Sequence, residues 1–189
     1  MSAPKFHSLK DHFLVAMPGL RDPNFRDTVV YLFEHGPEGA IGLIINRPTE
    51  VPMARVFAEL KLQCPEEVGR RPVLLGGPVQ PERGFVIHRP ATRRFESTLQ
   101  VSDEICITAS QDILAAIAGR EGPEASYITL GYAGWGPGQL EAEIAANSWL
   151  VVRADPSIVF DVPFEQRLAA TTAKIGVDLG KLSPVAGHA

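Results

Sequence analysis

Apolar residues gather first in short, nearly continuous runs and only later at helical spacing. Phe13–Met17 is one such run, and it stops at the turn signal Pro18-Gly19. Thr28–Phe33 and Ala40–Asn46 are rich in β-branched and aromatic residues. Between them lies His35-Gly36-Pro37-Glu38-Gly39, a glycine-containing loop of hairpin length, so the pattern predicts an antiparallel hairpin. Its strands lack polar alternation, which predicts cover on both faces. Met53–Leu62 then places Val56, Phe57 and Leu60 on one helical face, with Pro48 and Pro52 at its start and Cys64-Pro65 at its end.

Further on, Val73–Leu75 and Gly84–His88 read as strands around Gly76-Gly77-Pro78. Thr98–Thr108 reads as one long strand or a bent pair, broken at Ser102-Asp103-Glu104. Ser110 offers an N-cap to a helix carrying Ile113, Leu114 and Ile117 and closing at Gly119. Tyr127–Leu130 predicts a strand, Gly131–Gly138 a glycine-rich loop, and Leu140 with Ile144 a helix behind Pro137. Trp149–Arg153 and Ile158–Phe160 read as strands, and Pro163 opens a last helix bearing Phe164, Leu168, Thr172 and Ile175. Hairpin-like early strands with scattered helices predict an α+β domain on a bent, largely antiparallel sheet. The whole chain, 1–189, reads as a single domain with irregular tails at 1–10 and 182–189.

Composition narrows the setting. At 189 residues, 45% hydrophobic and 21% charged, the chain has the balance of one folded domain. Cys64 and Cys106 are too few for a disulfide framework and fit a reducing compartment. The first ten residues carry no apolar signal region, and no apolar run approaches the roughly 20 residues that span a bilayer. A cytoplasmic location without membrane attachment is expected. Acidic residues outnumber basic ones 22 to 18, and the basic doublets Arg70-Arg71 and Arg93-Arg94 stand alone. Direct nucleic-acid binding is therefore not expected.

Four groupings could carry chemistry. Tyr127–Leu130 followed by Gly131, Gly134, Gly136 and Gly138, with Asp155 about 20 residues on, has the outline of a dinucleotide site. Its glycine spacing is one residue short, however, and Trp135 is bulky where a pyrophosphate would approach; the alternative is an awkward helix start plugged by an aromatic ring. Gly76 and Gly77, with Arg83 and His88 following, could cradle a small anion, or could form a turn with a surface arginine. Glu34-His35 and Asn46-Arg47 could meet across the hairpin ladder as an acid–base group, or form a polar hairpin end with a modest ion pair. Arg26 adds a further cation beside a turn. The five histidines show no ligand spacing, no nucleophile elbow surrounds any serine, and no metal or cofactor is expected.

Taken as a set, these motifs resemble the YqgE/AlgH family of bacterial proteins. The resemblance rests on His12-Phe13-Leu14-Val15-Ala16-Met17-Pro18, Asp22-Pro23-Asn24-Phe25-Arg26, Gly42-Leu43-Ile44-Ile45-Asn46-Arg47-Pro48 and Leu75-Gly76-Gly77-Pro78. Arg83-Gly84-Phe85-Val86-Ile87-His88, Leu130-Gly131-Tyr132-Ala133-Gly134-Trp135, Asn147-Ser148-Trp149-Leu150 and Ala186-Gly187-His188-Ala189 extend it over nearly the whole chain. It implies an α+β fold whose bent sheet forms a pseudo-barrel. It also implies a transcriptional-regulator label, without an enzymatic activity or cofactor that could be transferred. An acidic chain with no helix–turn–helix, zinc finger or basic helix fits indirect action. The reading adopted is a module binding a partner protein or a small anionic ligand, with Arg26, Glu34, His35, Asn46, Arg47, Gly76, Gly77, Arg83, His88 and Trp135 as candidate binding residues. The alternative is an enzyme acting on a nucleotide-like or phosphorylated small molecule. Convergence of these residues in one deep pocket would favour the enzyme, and dispersal would favour the module.

Overall fold

The computed structural model describes residues 5–182. Its frame starts from the expected hairpin: β2 (Val29–Gly36) and β3 (Gly39–Ile44) pair antiparallel around Pro37-Glu38. Val29–Phe33 of β2 are buried in sequence, because helices cover one face of the hairpin and the curled sheet closes over the other. β1 (His12–Ala16) lines the open side of β2. β10 (Trp149–Arg153) in turn lines β1.

The other half is organised by one long strand, β9 (Ser126–Trp135), which touches three neighbours. Its end, Ala133–Trp135, pairs with β3, and its start and middle pair with β6 (Val79–His88). Thr129 and Leu130 also run parallel to β5 (Pro72–Leu75), itself paired with β4 (Pro48–Pro52). The short strands β7 (Thr98–Gln100) and β8 (Cys106–Thr108) close the far side. The ten-stranded sheet thus runs β10-β1-β2-β3-β9-β6-β8-β7 and curls into a half-barrel, antiparallel apart from the β5–β9 pair.

Among the described residues six α-helices pack on it: α1 (Met53–Glu59), α2 (Glu66–Gly69), α3 (Asp112–Ala118), α4 (Gln139–Ala145), α5 (Pro156–Phe160) and α6 (Arg167–Ala173). Three apolar clusters result. One lies inside the curl under α5 and α6, one between β1–β3 and α4, and one between β5, β6, β9 and the pair α1 and α3.

Several elements differ from the sequence reading. The glycine-rich stretch after Leu130 is strand as far as Trp135, not loop. Gly131 adopts φ +74° there, and a Cβ on it would lie 2.2 Å from the Gly77 carbonyl oxygen. Glycine therefore lets two chains cross where β9 bends. Ile158–Phe160 is the end of α5 rather than a strand: Asp155 caps the Ser157 N–H and Pro156 opens the first turn, which overrides the β-branched pair. α1 stops at Glu59, short of Cys64-Pro65, and the prolines taken as its start form β4. Ser110 does not cap α3; its hydroxyl donates to Asp112 at 2.5 Å. Residues 5–9 carry no regular structure, and 1–4 and 183–189, including Ala186-Gly187-His188-Ala189, lie outside the described residues.

Candidate functional site

The candidate site begins at an irregularity of β6. Val79 pairs with Tyr132 and Gly84 with Leu130, so Gln80–Arg83 stand opposite the single residue Gly131. The extra residues loop out of the ladder and carry Arg83 to the surface. There its guanidinium rests 5.0 Å above the Phe85 ring. Among the described residues no carboxylate pairs with it.

Two hollows meet at this arginine. The larger, about 590 Å³, lies between α1 and α3. Its floor is apolar, with Val86, Ile128 and Leu130 from the sheet and Val56 and Leu114 from the helices. Its rim carries Arg55, Glu59 and Glu82. The smaller, about 260 Å³, opens at the mouth of the curl and is walled by Phe33, Phe85 and Tyr132, with Glu34 at its edge. Phe85 packs edge-on to Tyr132 at 5.9 Å and tilted against Phe33 at 6.0 Å, so this aromatic wall is rigid. Combined, the hollows fall within the size range of small-molecule sites.

Of the candidate residues, only Glu34 and Arg83 share this cleft. Glu34, His35 and Trp135 also border a shallower depression beyond it. His35 is occupied: its Nε2–H donates to Glu141 at 2.6 Å, and its Nδ1 accepts the Leu9 N–H at 2.8 Å. The acid–base grouping across the hairpin does not form. With the turn at Pro37-Glu38, Glu34 faces Ile41 and His35 faces Ala40, while Asn46 and Arg47 lie beyond the opposite end. At that end Asn46 accepts from the Val29 N–H and donates to the Asp27 carbonyl. Arg47 donates to the carbonyls of Asn24 and Arg26, so the pair staples a loop. Arg26 points outward beside Asp27 at 3.8 Å.

His88 is internal, at 1% exposure. Its Nδ1–H donates to the Arg89 carbonyl, its Nε2 accepts from the Thr108 hydroxyl, and burial pushes its pKa down. Gly76 and Gly77 do not form a free anion cradle. The Gly76 N–H donates to the Leu130 carbonyl, and a Cβ on Gly77 would lie 2.1 Å from the Tyr132 carbonyl carbon. Trp135 is largely buried in the cluster under α4, and its indole N–H donates to Glu143 at 2.7 Å, as does that of Trp149 at 2.9 Å. Asp155, the supposed ribose acid, caps α5 and meets Lys174 at 3.3 Å.

Sequence reasoning missed Arg55, Glu59 and Glu82, because a helix face and a strand bulge acquire a common rim only in space. It also missed Arg167. This guanidinium is 1% exposed, donates to the carbonyls of Ile45 and Val162, and lies 4.8 Å from the Tyr127 ring and 4.5 Å from Phe164. Nothing in Gln166-Arg167-Leu168 marks a buried cation.

These features define a class: one α+β domain on a curled half-barrel, with a mixed-charge cleft at the loop of β6. The chain belongs to the AlgH-like family, whose model matches residues 13–180. A UPF0301 protein of Nitrosococcus oceani is 52% identical over 181 residues, covering 95% of this chain and 96% of that one. Another, from Stutzerimonas stutzeri, is 50% identical over 190 residues, covering 100% and 98%. The solution structure of the AlgH protein from Pseudomonas aeruginosa, 49% identical, matches with a TM-score of 0.80 over 100% of both chains. The crystal structure of a Corynebacterium diphtheriae protein, 19% identical, matches with a TM-score of 0.73 over 94% of this chain and 92% of that one, and shares the fold. Among the described residues no helix is long and apolar enough to cross a membrane.

Proposed function

We propose that the protein is a binding module for a small organic anion, whose charged group sits on Arg83 and whose apolar body lies on the floor between α1 and α3. The observation that carries this reading is Arg83 itself: an exposed guanidinium held on Phe85, with no carboxylate partner among the described residues, where the two hollows meet. A fork of N–H donors fixed on an aromatic face suits carboxylate or phosphate. Dispersal of the remaining candidates weighs against an enzyme, since His35 and Arg47 are committed to structural hydrogen bonds away from the cleft and His88 is buried, held by Thr108 of the cleft wall. Any influence on transcription would pass through the ligand or a partner protein, not through a direct grip on DNA.

A thermal-shift panel of nucleotides, sugar phosphates, organic acids and duplex DNA tests the reading. A ligand at 100 times its Kd adds about 2.7 kcal/mol, a rise of roughly 5–10 °C for this chain length. Arg83→Ala should abolish that rise and leave the free protein's Tm unchanged, because the side chain is exposed. Silence across the anions, a shift that survives in Arg83→Ala, or a salt-sensitive submicromolar DNA complex would each overturn it.

A further inference from the structure

The main path of the sheet has two ends, apart from the β4–β5 branch, and they are finished differently. At one end β7 is three residues long and polar, Thr98-Leu99-Gln100. At the other, β10 is Trp149-Leu150-Val151-Val152-Arg153, an unbroken strand without proline, bulge or inward charge. Short polar edges resist pairing with other chains, whereas straight apolar ones invite it.

The register identifies which backbone groups of β10 are free. Met17 donates to Ser148 and Ala154 to Asp11, so the ladder to β1 uses the even-numbered residues of β10. The N–H and C=O groups of Trp149, Val151 and Arg153 therefore point away from the sheet, and among the described residues none has a partner. Leu150 and Val151 are half-exposed beside them.

We infer that β10 pairs antiparallel with β10 of a second copy about a two-fold axis at Val151, joining two half-barrels into one continuous sheet. This register sets Val151 opposite Val151 and Trp149 opposite Arg153, and every outward N–H and C=O of the three residues is satisfied. Charge supports the second copy as the occupant. Among the described residues of its own chain Arg153 has no carboxylate partner, and Glu143 has no cationic one. Glu143 is bound to the Trp149 indole, on the sheet face where Trp149, Val151 and Arg153 all project. Within one chain Arg153 is four residues from Trp149, roughly 13 Å along the strand. Across the two-fold axis it lies directly opposite Trp149, within reach of the other copy's Glu143.

Light scattering with size exclusion, run on the full chain from about 1 to 100 µM, should show mass rising from 20.5 kDa toward twice that value. Amide exchange at Trp149, Val151 and Arg153 should slow over the same range, while Leu150 and Val152 stay protected throughout. Val151→Pro removes an outward N–H, together with part of the Val151 packing on the cluster under α4, and should hold the protein at the monomer mass with fast exchange at Trp149 and Arg153. Arg153→Glu should weaken association at least tenfold without altering the backbone. A monomer at 100 µM with fast edge exchange overturns the proposal. So does edge protection at the monomer mass, which would mean the chain covers its own edge.

Discussion

Arg167 offers the sharpest test of how the core is packed, because its cation is buried and, among the described residues, no anion pairs with it. Its Nη1–H donates to the Ile45 carbonyl at 2.5 Å and its Nε–H to Val162 at 2.9 Å. Charge-assisted bonds are worth about 1.5–3 kcal/mol each, so the two supply about 3–6 kcal/mol. The Tyr127 and Phe164 rings add about 0.5–2 kcal/mol apiece. Against this stands desolvation, which lowers the pKa of the guanidinium and costs several kcal/mol. Arg167→Met relieves that cost but orphans two buried carbonyls, each worth about 1–3 kcal/mol. The expected net loss is about 3 kcal/mol, a drop in Tm of roughly 6–12 °C. With a urea slope near 2 kcal/mol/M, the midpoint should fall by about 1.5 M. Arg167→Lys keeps the charge but cannot fork to both carbonyls, and should lose about 2 kcal/mol. If Arg167→Met unfolds at the parent midpoint or later with an unchanged slope, desolvation outweighs the hydrogen bonds and the reasoning is wrong.

Two further outcomes follow from buried polar groups. Glu143 holds the indoles of Trp135 and Trp149, the chain's only two tryptophans. Glu143→Ala should therefore cost about 2–4 kcal/mol and shift the intrinsic fluorescence maximum, and an unchanged spectrum with unchanged stability would refute the shared clasp. His88 is held neutral by burial, its pKa pushed below the ordinary value near 6.5. The unfolded chain then binds the extra proton first, so stability is intact above about pH 6.5 and falls on acidification, by at most about 1.4 kcal/mol per pH unit. Urea titrations from pH 7.5 to 5 should show this slope, reduced in His88→Gln; equal slopes in both proteins would assign the loss elsewhere.

What local pattern could specify, it did. The β2–β3 hairpin, β1, β10 and the apolar faces of α1, α3 and α4 follow from runs and spacings, because burial demands apolar side chains at those positions whatever the neighbours. The α+β class was legible for the same reason, and the motifs identified the family. Where the hairpin turn lies was also readable, yet its consequence was misjudged: Glu34-His35 and Asn46-Arg47 stand at opposite ends of one ladder. The tertiary structure alone decided how glycines were used. Gly77 and Gly131 stand where β9 crosses the chain that leaves β5, and that close approach of two backbones leaves no room for a side chain at either. It alone placed Arg83 on a bulge between two hollows and committed His35, His88 and Trp135 to interior hydrogen bonds. Polar side chains are exchangeable between solvent, backbone and ligand, and a one-dimensional pattern records only that they are polar. Which partner each one takes depends on what the fold brings within 3 Å of it.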